Sequence, residues 1–247
     1  PSETADHSLV GGHQGDGIGI VVQGDSSSWW TFTRETLRWY RRIYPKAAIV
    51  LSTWQSDQGD QISGECDAIG VRCVMLERPV NPGPSNLNMQ IVSTQSGLEA
   101  VSNADVSWVV KTRTDQRVYA RNFLATLANL EMAFPINSST RSVGLKSRII
   151  VESSGTLLYR PFNVSDQFQF GTLEDLTKYW SLNQDPRAAL NEGEGPLTLR
   201  QLAERNVAET RPARNFASHL GLGAECTLGD YWFFMANAIC VVDTSML

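Results

Sequence analysis

The sequence predicts an α/β protein, a mostly parallel sheet flanked by helices with a less regular C-terminal half, and three observations carry the prediction. Apolar runs at 18–23, 47–52, 71–76 and 108–115 have the length of buried strands. Helical stretches at 31–44 and 87–101 fall between them. Proline and glycine punctuate the joints, as at Pro45 and across 79–85. Strands alternating with helices pack as a sheet covered by helices on its faces.

Taken in order, residues 1–16 are polar and glycine-rich, contain His7 and His13, and read as a tail or linker ahead of a domain at 17–247. Gly15, Gly17 and Gly19 precede a strand, whereas a dinucleotide fingerprint follows one and opens a helix. Ile18–Gln23 is the first strand. In 31–44, Leu37, Tyr40 and Tyr44 share a face, Arg34, Arg38, Arg41 and Arg42 lie elsewhere, and Pro45 ends the helix. The second strand closes on Ser52-Thr53-Trp54 and the third on Arg78-Pro79. After the loop at 79–85 and the helix at 87–101, the fourth runs Trp108-Val-Val-Lys-Thr-Arg-Thr-Asp115. A helix at 120–134 carries Phe123, Leu127, Leu130 and Phe134, and a strand pair is expected around 148–160. Thr172 with Asp175 reads as a capping box for a helix whose Leu173, Leu176 and Trp180 share a face. The stretch Tyr231-Trp-Phe-Phe-Met235 is apolar enough to be buried.

At 247 residues and 42% hydrophobic content, a sizeable core fits in one large domain or two small ones. A net charge of −5 argues against a nucleic-acid binder held by phosphate contacts. No run reaches the roughly 18–20 apolar residues of a membrane span, and no signal peptide is visible. Cys66, Cys73, Cys226 and Cys240 form no C-x-x-C pair, so free thiols and a cytoplasmic setting are expected. The first residue is Pro1, which leaves room for further domains of a longer chain.

Ligands of α/β sheets collect beyond the carboxyl ends of the strands. Gln23-Gly24-Asp25 at such an end suits a nucleobase or ribose, because Gly24 lets the backbone approach and Gln23 both donates and accepts. A plain glycine turn fits the same residues. Asn86, Gln90, Ser93, Thr94 and Gly97 recur on one face of a helix that must pack on the sheet. Buried polar groups want partners, so this face suits a ligand; a capped, solvated helix would look similar. Asp115 is the metal-ligand candidate, since Mg²⁺ and Mn²⁺ take one or two carboxylates plus substrate phosphates. Lys111 and Arg113 could add phosphate contacts, or simply solvate a strand end. Asp166, beside Phe168 and Phe170, could be desolvated toward general-base duty, or cap a turn. There is no G-x-S-x-G, H-E-x-x-H or G-x-x-x-x-G-K-[ST], and three scattered histidines make no triad.

In this order, Val21–Gly24, Ile49–Trp54, Asn86–Leu98, Val109–Asp115 and Pro161–Gly171 resemble the WavE lipopolysaccharide-synthesis family. The resemblance implies a GT-A-like, Rossmann-type fold and transfer of a sugar from a nucleotide-diphosphate donor to a glycan or glycolipid acceptor. Arg113-Thr-Asp115 stands where the Asp-x-Asp motif of such enzymes would, with Arg in place of the first Asp. A Pro-Glu pair expected near the C-terminus is Pro212-Ala213 here. By this reading Gln23, Gly24 and Thr53 line the nucleotide pocket, Gln90 and Lys111 approach donor phosphate or sugar, and Asn88 and Arg113 are further donor-binding residues. Asp115 binds Mn²⁺ or Mg²⁺, and Asp166 is the base. The protein would work in the cytoplasm, with room for a peripheral place at the inner face of a membrane. The rivals are a sugar nucleotidyltransferase, which would want a basic loop where Gly24-Asp-Ser-Ser-Ser stands, and a non-catalytic glycan binder.

Overall fold

The structure, a computed structural model, describes residues 15–138, 141, 143–188, 198–205 and 208–247. The expected tail at 1–16 lies almost wholly outside the described residues. The first half runs β1 (Ile18–Gln23), α1 (Trp30–Ile43), β2 (Ala48–Trp54), α2 (Gly59–Ala68), β3 (Arg72–Leu76), α3 (Leu87–Ser102), β4 (Trp108–Arg113) and α4 (Phe123–Ala133). The second half adds β5 (Ile149–Glu152), β6 (Gln169–Thr172), α5 (Leu173–Tyr179), α6 (Leu199–Glu204), α7 (Thr210–His219), α8 (Leu228–Ala238) and β7 (Ile239–Val242). The strands form one mixed sheet in the order β3-β2-β1-β4-β6-β5-β7. β3, β2, β1 and β4 are mutually parallel, β6 runs antiparallel to β4 and β5, and β7 is parallel to β5. The predicted α/β sheet is therefore the fold.

Side chains alternate across a strand, so each strand feeds two cores. Ile20, Val22, Ile49, Leu51 and Val110 meet α1, α2 and α4 through residues such as Leu37, Ile62 and Phe123. Val21, Val50, Val109, Ile149 and Val151 meet α3, α5, α7 and α8 through residues such as Ile91, Tyr179, Phe216 and Phe234. Helix α3 lies close on the sheet because Gly97 has no side chain; a Cβ there would collide with Val21 Cγ1. That close approach carries the polar face of α3 over the end of β1.

Four expectations need correction. The strand pair at 148–160 is β5 alone; its antiparallel partner is β6, and a loop fills 153–168. Thr172 does cap α5, its Oγ1 accepting from Asp175 N at 3.1 Å, but the Asp175 carboxylate does not complete a box. It accepts from the backbone N–H groups of Lys146 and Ser147 instead, tying the loop before β5 to α5. Phe134 lies past the end of α4 and is exposed. In α8 only Tyr231 and Phe234 of the aromatic run are buried, while Trp232 and Phe233 face outward, because a helix turns about 100° per residue.

Candidate functional site: a cleft at the strand ends

Beyond the carboxyl ends of β1, β2 and β4 lies a cleft of ≈ 360 Å³. Its floor is Gln23, Gly24 and Asp25 from the end of β1, and Arg113, Thr114 and Asp115 from the end of β4. Ser85, Asn86, Met89, Gln90 and Ser93 form one wall at the start of α3; Trp29, Trp54 and Arg78 form the other. A larger depression of ≈ 770 Å³ lies between α3, residues 181–184 and α7, away from the strand ends. The strand-end cleft is the better candidate, because the polar residues of three elements converge there.

Each wall has a local cause. Gly24 has φ +124° and Thr114 Oγ1 lies 3.0 Å from where its Cβ would be, so only glycine fits without strain. Thr114 Oγ1 donates to Asp25 O at 2.9 Å and stitches the β1 and β4 ends together. Ser85 (φ 53°) and Asn86 (φ 61°) are consecutive left-handed residues at the entrance to α3. Such strain, uncommon outside glycine, concentrates where a site needs it. Ser93 Oγ stands 2.6 Å from Gln23 Oε1 and fixes the amide of this buried glutamine. Gln90 Oε1 is buried with no hydrogen-bond partner, an acceptor that a ligand donor would satisfy.

The charges of the floor are paired. Arg113 grips Asp115 with a fork, Nε to Oδ1 at 2.9 Å and Nη2 to Oδ2 at 2.7 Å. The bonds from Arg113 hold the Asp115 carboxyl below its ordinary range. Burial alone would raise Asp25, but bonds from Ser27 and from Arg78 Nη2 at 2.8 Å outweigh it and hold that carboxyl low. Both acids are thus ionised carboxylates at neutral pH, beside two guanidinium groups.

Of the residues singled out from sequence, Gln23, Gly24, Gln90, Arg113 and Asp115 meet in this cleft. Thr53, Asn88, Lys111 and Asp166 do not line it. Thr53 is fully buried, and its Oγ1 accepts from Ser26 N at 3.1 Å, so it braces the turn after β1. Asn88 is fully buried too; its Nδ2 donates to Asn81 O and Asp185 O, and its Oδ1 accepts from Asp185 N, which pins two loops to α3. Lys111 is 0% exposed, donates to the backbone carbonyl of Asp166, and its Nζ sits 4.9 Å from the centroid of the Trp180 ring. Asp166 is 4% exposed, behind the floor, with Oδ2 buried and lacking a hydrogen-bond partner. Trp29, Trp54 and Arg78 were missed as site residues, and the sequence reading takes Asp25 only as part of the strand-end motif, with no role of its own, although all four stand at or just beyond strand ends.

Burial pushes the Lys111 amine down to about 8. Between that value and the ordinary 10.5, the unfolded chain holds a proton that the folded chain has lost. The stability of the wild type relative to Lys111→Met should therefore rise from about pH 8 toward pH 10.5. Urea midpoints of both proteins across that range check this; a flat difference contradicts it.

Mg²⁺ or Mn²⁺ asks for one or two carboxylates plus substrate phosphates, not a full protein cage. No cluster of three or more His, Cys, Asp or Glu ligands occurs among the described residues. Asp115 fits the smaller demand, because a carboxylate has about four lone-pair sites and the Arg113 fork uses two.

Glucosyl-3-phosphoglycerate synthase from Mycobacterium tuberculosis, solved with Mn²⁺, UDP and phosphoglyceric acid, is similar over 98% of this chain and 74% of that one. The identity is 13% and the TM-score 0.50, a likeness of fold. A cytidylyltransferase from Leptospira borgpetersenii serovar Hardjo-bovis matches at 14% identity and a TM-score of 0.41, over 69% of this chain and 66% of that one. S. aureus TarS 1-349 matches at 12% identity and 0.43, over 82% and 70%. No curated protein matches the chain. The family pattern of WavE, lipopolysaccharide synthesis, matches residues 18–213, a span that holds the whole cleft and six of the strands, and the chain belongs to that family.

Proposed function

We propose that the chain is a glycosyltransferase of lipopolysaccharide or related surface-glycan synthesis, and that the strand-end cleft holds its nucleotide-diphosphate sugar. Membership of a lipopolysaccharide-synthesis family and a fold shared with a sugar-transferring synthase support the reaction class. The observation that carries the site is the convergence of Gln23, Gln90, Arg113 and Asp115 on one cleft, with an unpartnered buried acceptor on Gln90. The nucleotidyltransferase alternative is weaker, because the loop Gly24-Asp-Ser-Ser-Ser after β1 has no basic residue of its own, and the cation beside it, Arg78, is paired with Asp25.

In this reading Gln23 and Asp25 take the nucleoside end, flanked by the Trp29 and Trp54 rings, Arg113 faces the diphosphate, and Gln90 faces the donor sugar, whose hydroxyls can donate to its unpartnered Oε1. Asp115 would hold a divalent cation, which supplies positive charge against the leaving diphosphate. Lys111 is a positioning residue: its bond to the Asp166 carbonyl fixes the turn that carries Asp166. Asp166, the base expected from the sequence, does not line the cleft, and its Oδ2 is buried without a hydrogen-bond partner; it serves as base only if acceptor binding moves its turn and brings that oxygen within hydrogen-bond reach of the acceptor hydroxyl.

A screen of nucleotide sugars for release of nucleoside diphosphate tests the reaction class; a protein inert toward every donor and acceptor would be a binder only. Gln90→Leu tests the site. The substitution removes an acceptor that the fold leaves unsatisfied, so stability should hold or rise, while donor affinity falls by about 1–3 kcal/mol. Unchanged donor affinity in calorimetry would take the α3 wall out of the site.

A further inference from the structure

A lipopolysaccharide acceptor would be amphiphilic, and one loop of the protein carries an exposed apolar ridge. β5 and β7 run parallel to β4, and β6 antiparallel. The loop at 153–168 therefore leaves the sheet on the same edge as the cleft. Its polar groups are turned inward. Glu152 is buried and accepts from Ser154 N, Gly155 N, Thr244 Oγ1 and the Ser165 hydroxyl. Asn163 Nδ2 donates to Gly155 O at 2.8 Å, and Leu157 N to Asn163 O at 3.0 Å. A tight turn closes the tip, with Arg160 N donating to Leu157 O. What this braced loop turns outward is Leu157, Leu158 and Tyr159, at 44%, 58% and 62% exposure. Trp232 joins them: its Nε1 donates to Leu158 O at 2.8 Å, and its ring meets Tyr159 edge-on at 6.2 Å.

We propose that this ridge docks the protein on a lipid bilayer carrying anionic headgroups, setting the cleft against the membrane that holds its acceptor. The loop is well bonded, yet it leaves both leucines outside the core. Two adjacent leucines at a tip reach into acyl chains, whereas Tyr and Trp pair an apolar body with a polar end and sit at headgroup level. The charge fits as well: Arg160 is the one charged residue in 153–164, and anionic headgroups attract it. Tyr159 and Trp232 offer aromatic faces to a sugar ring, but the Trp232 N–H is spent on Leu158 O and the two exposed leucines at the tip have no use for a sugar, so a lipid-free oligosaccharide is kept as an outcome of the test. A second copy of the chain would need about 800 Å² on each partner, which four part-exposed side chains do not supply.

The proposal rests on the glycosyltransferase reading only for its acceptor, so the test uses neither donor nor turnover. The wild type is sedimented with vesicles of mixed phosphatidylcholine and phosphatidylglycerol, alongside a Leu157→Ser/Leu158→Ser variant and a Tyr159→Ser variant. The wild type should pellet with the vesicles, and the double variant should lose at least about tenfold in partitioning. Urea midpoints confirm that both variants fold, and nucleoside diphosphate binding, read separately, should not change. Wild type left in the supernatant, or a folded double variant that pellets equally well, overturns the proposal. So does a wild-type dimer, or binding of a lipid-free oligosaccharide, that the double variant abolishes while vesicles are ignored. Loss of nucleotide binding in every protein would instead strike the donor site and leave the vesicle result standing.

Discussion

Asp115→Asn should lower kcat/KM by at least about 10²-fold, the scale on which a single group stabilising transition-state charge is felt. The urea midpoint should stay near that of the wild type, because a part-exposed ion pair at a strand end contributes little to stability. The loss should appear in metal-dependent donor binding as well as in turnover. Asp166→Asn should separate from it: kcat falls by roughly 10²-fold or more while donor affinity holds. Calorimetry of the donor beside steady-state kinetics reads both variants. Unchanged donor affinity in Asp115→Asn removes Asp115 from the metal site. Donor affinity falling with kcat in Asp166→Asn makes Asp166 a positioning residue.

Trp180→Ala should have the largest effect on stability, about 3–5 kcal/mol in urea unfolding. Trp180 is fully buried in the core beneath α3 and α5. Its Nε1 donates to Gln169 Oε1 at 2.7 Å, its carbonyl accepts from Gln95 Nε2 at 2.7 Å, and its ring lies against the Lys111 amine. Truncation leaves a cavity, an unpaired buried amide and a buried cation without its π face. Because Lys111 holds the turn bearing Asp166, turnover should fall further than the stability loss alone accounts for. Trp180→Phe, which keeps a ring but loses the N–H, should lie between the two proteins. Loss of less than about 1 kcal/mol in Trp180→Ala would mean that this core is not as tightly packed as its burial implies.

The sheet was legible because β1, β2 and β4 are buried on both faces and read as continuous apolar runs, while β3, at the edge, is only partly buried. Helix α2 was not: only Ile62 and Cys66, four residues apart, face the core, and the rest is polar. The strand pair was misread because β5 finds its partner at 169–172, and nothing in a local pattern reveals a loop of that length. The cleft was legible where residues sit at strand ends, as with Gln23 and Arg113. Thr53, Asn88 and Lys111 belong to the same motifs, but their side chains are used inside the protein, holding a turn, two loops and a carbonyl. Residue type and position show that a polar group is placed with care; they do not show whether its partner is a ligand or another loop. Arg78 shows the converse, since its pairing with Asp25 bridges 53 positions and exists only once β1 and β3 share an edge.

Titration calorimetry of the wild type with a panel of nucleoside diphosphates, with and without Mn²⁺, tests the central claim most directly. At least one should bind, more tightly with the metal, and Asp115→Asn should remove the metal's share while Gln90→Leu weakens what remains. No binding by any nucleoside diphosphate, or equal binding by the wild type and both variants, would contradict a donor site at the strand ends.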